Sequence, residues 1–296
     1  MSAAIKLAAG SLLVGVVVLG LKTLAWWLTG SVALLSDALE STVNLATAFA
    51  ALIAIRVAAR PADDSHPFGH HKAEYFSAVL EGVMIVVAAL FILREAYEGA
   101  LHPRPLDAPI EGLLINGAAT AVNAVWAWVL VRAGRRLRSP ALAADGKHLW
   151  TDVLTSAGVA LGLLMSIVTG WALLDPLMAA LVALNILWSG SSVVKASLSG
   201  LMDEAVPPRT LERIREAISL EAAGAVEAHD LRTRHAGSVT FVEFHLVVPG
   251  GMTVYDAHEI CDRVEAAIGK AVKDSRVTIH VEPEHKSKHS GIVVLS

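Results

Sequence analysis

A six-helix membrane bundle followed by a small cytoplasmic α+β domain, with elements in αββαβ order, is the fold this sequence predicts. Three observations predict it. The 296-residue chain is 54% hydrophobic and 18% charged with a mean hydropathy of +0.56, a balance that suits a bilayer better than water. Six apolar runs are each long enough for a helix to cross the hydrocarbon core, which takes about 20 residues. After roughly residue 200 the acidic side chains become frequent and the long apolar runs stop.

The first run, at roughly 8–28, follows MSAAIK without a convincing small-residue cleavage site and is read as a retained span. The second, roughly 33–57, is interrupted by Ser36, Asp37, Glu40, Ser41 and Asn44, which must face the bundle because a lipid-facing carboxylate costs several kcal/mol. The third and fourth occupy roughly 78–98 and 112–133, with the Pro-rich crossing His102–Pro109 between them. Ser139 and Pro140 give a start signal before the fifth, roughly 143–168, and Pro176 is tolerated early in the sixth, roughly 172–194. Thr29–Ser31 and the Gly170 region read as short external turns, and Trp26, Trp27, Trp150 and Trp171 as interfacial anchors. Arg56, Arg60 and Lys72 border the second connection, and Arg132, Arg135, Arg136, Arg138 and Lys147 the fourth. With Lys6 and Lys195 they place both termini in the cytoplasm of a multi-pass membrane protein.

Pro207–Pro208 opens the second unit, so the expected domains are residues 1–200 and 201–296. RTLERIREAISL has helical periodicity, 224–234 and 239–248 alternate as strands, 254–270 is amphipathic, and SRVTIHVEPE supplies a last strand at 275–283 before a short mobile tail. The formal net charge of −4 argues against nucleic acid as a partner. The lone Cys261 excludes an internal disulfide framework and reads as a packed small residue.

Chemistry enters through polar residues in apolar surroundings. His148 and Asp152 stand four apart in DGKHLWTDVLTSAGVALGLLMSIV, so a helix turns them onto one face, and an ionisable intramembrane pair marks an ion or proton route. Glu40 and Asn44 repeat the spacing, and two such helices side by side offer four side chains to one metal ion. Asp37, about one turn before Glu40, fits three roles: ligand, entrance charge or helix-pairing residue. Outside the spans, Asp63, His66 and His70 form a D-x-x-H-x-x-x-H loop with Gly69 at its turn, flanked by Asp64 and His71 as alternatives. The cytoplasmic unit carries His229, His245, His258, His280 and Glu282 on its strands and second helix, with Asp262 a weaker participant and His235, His285 and His289 as bystanders.

The segments WWLTGSVALLSDALESTVN, RPADDSHPFGHHKAEYF, DGKHLWTD, AHDLRTR and TIHVEPE together resemble the cation diffusion facilitator family, especially its bacterial zinc and iron branch. The resemblance implies a six-helix protomer, a homodimer, no enzymatic activity, and exchange of a cytoplasmic divalent cation for protons. It implies a transport site at Glu40, Asn44, His148 and Asp152, with Glu40 and Asn44 departing from the usual aspartate or histidine pair. It also implies a loop site at Asp63, His66 and His70, and a binuclear zinc site in the cytoplasmic domain, where Glu282 replaces a common aspartate. Lys72 and Asp203 would pair as a salt bridge at the junction of the domains. Zinc, with several ions per protomer, is the expected metal, and the oxygen donors leave cadmium, iron and manganese open. With Glu40 and Asp152 ionised and His148 neutral the site carries a charge of about −2, and proton uptake at His148, Asp152 or Glu40 would expel the metal. A membrane metal sensor or assembly protein without a transport step remains the alternative of a different class.

Overall fold

The computed structural model describes residues 3–29, 32–101, 110–169, 173–289 and 291–293, and the chain divides into two compact units, Met1–Leu198 and Ser199–Ser296. Six long helices make the first unit: α1 (Ala3–Thr29), α2 (Val32–Ala58), α3 (Ala73–Leu101), α4 (Ile110–Leu137), α5 (Pro140–Thr169) and α6 (Leu174–Leu201). Each has 27 to 30 residues. At about 1.5 Å per residue they are about 40–45 Å long, the thickness of a bilayer with its headgroups rather than of its hydrocarbon alone. That is why they exceed the expected apolar spans at nearly every end: polar terminal turns continue the helix into the interface. Gly30 and Ser31, residues 102–109 and residues 170–172 lie outside the described set, and with them the expected external turns and Trp171.

Burial in this unit is inverted relative to a soluble protein. Leu13, Phe49, Phe76, Phe91, Trp128 and Trp188 point outward, while Ser11, Asn44, Glu81, Asn123, Asp145, His148 and Asp152 are buried. A lipid solvent produces this arrangement, since apolar side chains lose nothing by facing it and charges lose a great deal. Three helices, α1, α3 and α6, contain described stretches long and apolar enough to cross a membrane by composition alone. The chain is a multi-pass membrane protein, and the more polar α2 and α5 supply the interior groups described below.

Local sequence explains how α5 is positioned. Arg138 takes a left-handed conformation (φ 52°) that ends α4, Ser139 caps α5 through the Leu142 amide (3.4 Å), and Pro140 occupies its first position. α4 and α5 then approach without Cβ atoms between them. A Cβ on Gly134 would lie 2.6 Å from the Ala143 amide nitrogen, and one on Gly146 would lie 2.7 Å from that of Val131. Ala51, Leu52 and Ile55 of α2 pack with Ala127 and Leu130 of α4 and with Leu142 and Leu149 of α5, fixing the seam between α2 and α5.

The second unit contains α7 (Pro208–Glu221), β1 (Glu227–Ala236), β2 (Val239–Val248), α8 (Val254–Ala271), β3 (Ser275–Pro283), a 3-10 turn at Glu284–Lys286, and β4 (Ile292–Val293). The αββαβ order is as expected. β1 starts three residues later than the sequence pattern suggested, and the tail, expected to be mobile, returns to add β4 beside β1. The sheet order is β3-β2-β1-β4, with β1 and β2 antiparallel and β2 and β3 parallel across the α8 crossover. Ile214 and Ile218 of α7, Val242, Phe244 and Leu246 of β2, and Ile260, Val264 and Ile268 of α8 form its core. Side chains alternate along a strand, so burying Phe244 and Leu246 beneath the helices turns His245 to the other face.

Gly146→Val is expected to destabilise the bundle by roughly 2 kcal/mol, because the new side chain meets backbone that cannot yield. Melting in detergent micelles checks this against Gly117→Ala, where a Cβ meets nothing within 4 Å and Tm should not fall.

Candidate metal sites

In the membrane unit, α2 and α5 bring Asn44, His148 and Asp152 together, all three buried. The Asn44 amide joins them. Its Oδ1 accepts from His148 Nε2 at 2.8 Å, and its Nδ2 donates to Asp152 Oδ2. A carbonyl oxygen can only accept, so the contact places the His148 proton on Nε2. Thr47 and Thr155 donate their hydroxyls to the backbone carbonyls of Asn44 and Asp152, at 2.9 and 2.8 Å. One imidazole nitrogen, one amide oxygen and one carboxylate thus converge in a water-poor seam. For a cation to bind at Nε2, the Nε2–H···Oδ1 bond must break, with the ring proton carried on Nδ1, and the amide must turn its oxygen inward. The side chains of Asp37 and Glu40 lie outside the described residues.

Two further carboxylates of this unit escaped the sequence reading. Asp145 on α5 accepts from Ser11 Oγ at 2.7 Å, and Ser11 in turn accepts from Trp126 Nε1 at 2.9 Å. Glu81 on α3 is completely buried, with Ser77 as hydrogen-bond donor at 3.2 Å. The signal was present in both cases: one acidic residue in an apolar run, without the i,i+4 partner that drew attention to His148.

The loop between α2 and α3 closes around Asp63. Its Oδ1 accepts from the amides of Ser65 (3.0 Å) and His66 (2.7 Å), and His66 Nδ1 lies 3.2 Å away. His70 Nε2 approaches the other oxygen at 3.4 Å, and the two imidazole centroids are 4.3 Å apart. Gly69 makes the turn at φ 88°. The three candidate ligand atoms lie within 4.8 Å of one another. The His66 amide holds the Asp63 carboxyl below the usual carboxylate range despite some opposing desolvation, so the loop keeps its anion. Asp64 is exposed and His71 half-buried beside this loop.

In the cytoplasmic unit, strand register builds the cluster. His229, His245 and His280 are direct neighbours across β1, β2 and β3, with centroid separations of 5.3 and 4.9 Å. Glu282 reaches all three, its oxygens lying 3.3 Å from His229 Nε2, 3.4 Å from His245 Nδ1 and 3.7 Å from His280 Nε2. His258 is elsewhere on the protomer: its ring is 74% exposed and pairs with Asp262 at 3.6 Å. It sits on the outer face of α8, whose inner face carries the buried Cys261, where burial pushes the thiol pKa up.

Asp230 and Glu227 join this cluster. Asp230, in a left-handed turn (φ 54°), is grouped with His229 and His245 as a possible ligand, and Lys288 donates to it at 2.6 Å. That ammonium holds Asp230 below its ordinary pKa. Glu227 faces His229 Nδ1 at 3.0 Å and accepts from the amides of Lys288 and His289, at 2.7 and 3.0 Å. Burial pushes the Glu227 pKa up, but these donors outweigh it and hold the carboxyl charged. A carboxylate on Nδ1 fixes the tautomer that leaves Nε2 able to bind metal. Asp203 accepts from Arg234 within its own unit at 3.2 Å; its expected partner Lys72 belongs to the other unit. Of the bystander histidines, His235 contacts Thr240 (3.2 Å) and His289 contacts Ser287 (3.4 Å).

The chain matches the cation efflux transmembrane domain over residues 9–202 and the cytoplasmic domain of cation efflux proteins over residues 206–284. It is 51% identical over 265 residues to the uncharacterized transporter sll1263 of Synechocystis, covering 90% of this chain and 86% of the relative. It is 32% identical over 267 residues to the cation-efflux pump FieF of Escherichia coli, covering 89% and 87%. A solved structure of CzrB in its zinc form is 48% identical and covers 29% of this chain and 99% of that chain, at a TM-score of 0.27.

Glu227→Ala is expected to speed amide hydrogen exchange at Lys288 and His289 by roughly tenfold, the equivalent of about 1.4 kcal/mol for two hydrogen bonds to a charged acceptor. The effect should be present at neutral pH and shrink as the wild-type carboxyl is titrated, because a carboxylate with a lowered folded-state pKa stabilises only while it is charged.

Proposed function

The chain belongs to the cation diffusion facilitator family of cation-efflux transporters, and from that premise we propose that it exports zinc from the cytoplasm in exchange for protons. The observation that carries this reading is the buried trio of Asn44, His148 and Asp152 on α2 and α5. A transport site inside a bilayer needs ligands satisfied both with and without their cargo. The amide meets this need: without metal it donates to Asp152 and accepts from His148, and with metal its oxygen becomes a neutral donor.

Zinc as the substrate follows from the donor set. Imidazole nitrogen with oxygen donors in a four-coordinate arrangement suits zinc, with Glu40 as the fourth ligand. The ionised pair Glu40 and Asp152 then offsets the charge of a divalent ion. Metal entry requires a lone pair on the coordinating nitrogen of His148, so the metal-free site carries an imidazolium that gives one proton to one side of the membrane before cargo binds and regains one on the other after cargo leaves. Protonation at Asp152 or Glu40 acts in the same direction. Asp37, one turn before Glu40, serves as an entrance charge. Alternating access of the two sides would be supplied by movement of the helix bundle around a fixed site.

The other sites fit supporting roles. With both termini in the cytoplasm, the loop ligands Asp63, His66 and His70 and the cluster of His229, His245, His280 and Glu282 face the metal pool that is to be exported. In a homodimer, His258 would join that cluster from across the interface. The salt bridge proposed between Lys72 and Asp203 would hold the junction while the transport helices move.

Purified protein in proteoliposomes should take up zinc while protons leave, faster with an acidic lumen than with none. Asp152→Ala should reduce this flux to that of protein-free vesicles while the cytoplasmic unit still binds metal. Cadmium, iron and manganese measured alongside rank the substrates. Metal binding without flux of any ion in the wild type would overturn export in favour of a sensor or assembly role.

A further inference from the structure

We propose that Glu81 and Asp145 form a buried proton-holding pair, separate from the metal ligands, in which the proton resides on Glu81 and is passed by way of Asp145 toward His148. This inference rests on the exchange reading for its use in transport, but not for the existence of the pair. Glu81 has no exposed surface, and its Oε2 has no hydrogen-bond partner among the described residues. An ionised carboxylate left with one unsatisfied oxygen in such a place is the costliest state it can adopt, whereas a neutral carboxyl needs no counter-charge. The neighbouring charge makes this worse: Ala78 of α3, one turn before Glu81, packs with Ala144 of α5, directly before Asp145, and Asp145 has the same sign. Two carboxylates in one apolar seam share a proton more readily than both ionise.

The donors decide which of the two keeps it. Asp145 is served by the Ser11 hydroxyl, itself oriented by the Trp126 indole, and lies one helical turn before His148. Glu81 has only the longer contact from Ser77. Asp145 is therefore built to carry the charge and Glu81 the proton.

The described cation nearest in sequence to the pair is Lys147, two residues after Asp145, which lines the cavity described below. On the α6 side Gly82 meets Val193 and Val194, and the next turn of α3 packs Ile85 and Ala89 against Ile186. From α5 come Asp145 and, beyond it, His148. α2 also packs on α3; it brings Asn44 and the carboxylates Asp37 and Glu40, whose side chains are outside the described set. Glu74, two turns earlier on α3, is occupied by the Ser139 hydroxyl.

A route for the proton is present as well. A cavity of about 170 Å³ opens between α3, α5 and α6, lined by Tyr75, Ala143, Ala144, Lys147, Val193 and Ser197. Its wall at Ala144 and Val193 packs with Ala78, one turn from Glu81, and Ala144 directly precedes Asp145. The cavity lies at the end of the bundle where α3 and α5 begin, so protons from that side reach the pair without crossing the metal ligands.

Infrared spectroscopy of the full-length protein in nanodiscs at neutral pH tests the pair. The wild type should show the carbonyl stretch of a neutral carboxylic acid, Glu81→Gln should lose it, and Asp145→Asn should shift it. Its absence from the wild type, or its survival in Glu81→Gln, overturns the proposal. In proteoliposomes, Glu81→Gln should bind zinc with wild-type affinity yet lose at least about tenfold of its flux response to a pH gradient, the scale expected of a proton-transfer group. A full response in this variant also overturns the relay. Wild-type flux indifferent to the gradient would instead contradict the exchange reading, and the infrared band would then still decide whether the pair holds a proton.

Discussion

The hydrogen bonds of the Asn44 amide are the contacts on which the membrane unit depends. A carboxylate and an imidazole buried in a membrane helix bundle must each be satisfied by protein, and here one neutral side chain serves both, accepting from His148 and donating to Asp152. It can do so only if α2 and α5 are in contact at that height. That closeness is set in turn by the packing of Ala51, Leu52 and Ile55 of α2 on α4 and α5 and by the glycine contacts between α4 and α5. The site is thus a consequence of packing, and the packing is a consequence of which residues lack side chains.

The same chemical elements recur at three depths with different solvent exposure. In the membrane seam the ligands are buried and hold one another; in the loop, Asp63 is exposed and anchored by backbone amides; in the cytoplasmic sheet, three histidines stand in register around Glu282. Water determines what each can do. Ligands near water can exchange their hydrogen bonds with solvent, whereas a buried site changes occupancy only when a proton or a cation replaces its internal bonds. The tail returns to the same cluster, where Lys288 donates to Asp230, one of its candidate ligands.

Much of this was legible in the sequence because the relevant patterns are periodic. Six apolar runs gave six helices, the i,i+4 pair of His148 and Asp152 gave one face of α5, and alternation in β2 and β3 put His245, His280 and Glu282 on one side of the sheet. Non-local facts were not legible. Asp230 comes beside His245 through an irregularity in the pairing of β1 with β2, and Glu227 is committed by a tail some 60 positions away, which no local pattern announces. Glu81 and Asp145 were each legible as an acidic residue in an apolar run; the packing of α3 on α5 that relates them was not. His258 lies, as its amphipathic helix pattern implied, on the outer face of α8, away from the strand row of its own protomer.

X-ray absorption at the zinc edge most directly tests whether Asn44, His148 and Asp152 hold the transported ion. The sample is the full-length protein with the loop and cytoplasmic ligands removed by Asp63→Ala, His245→Ala and Glu282→Ala. The account predicts one zinc per protomer in a nitrogen and oxygen shell that contains a single imidazole, and loss of that imidazole signature in His148→Ala. Failure of this protein to retain zinc, or a spectrum that His148→Ala leaves unchanged, would contradict it.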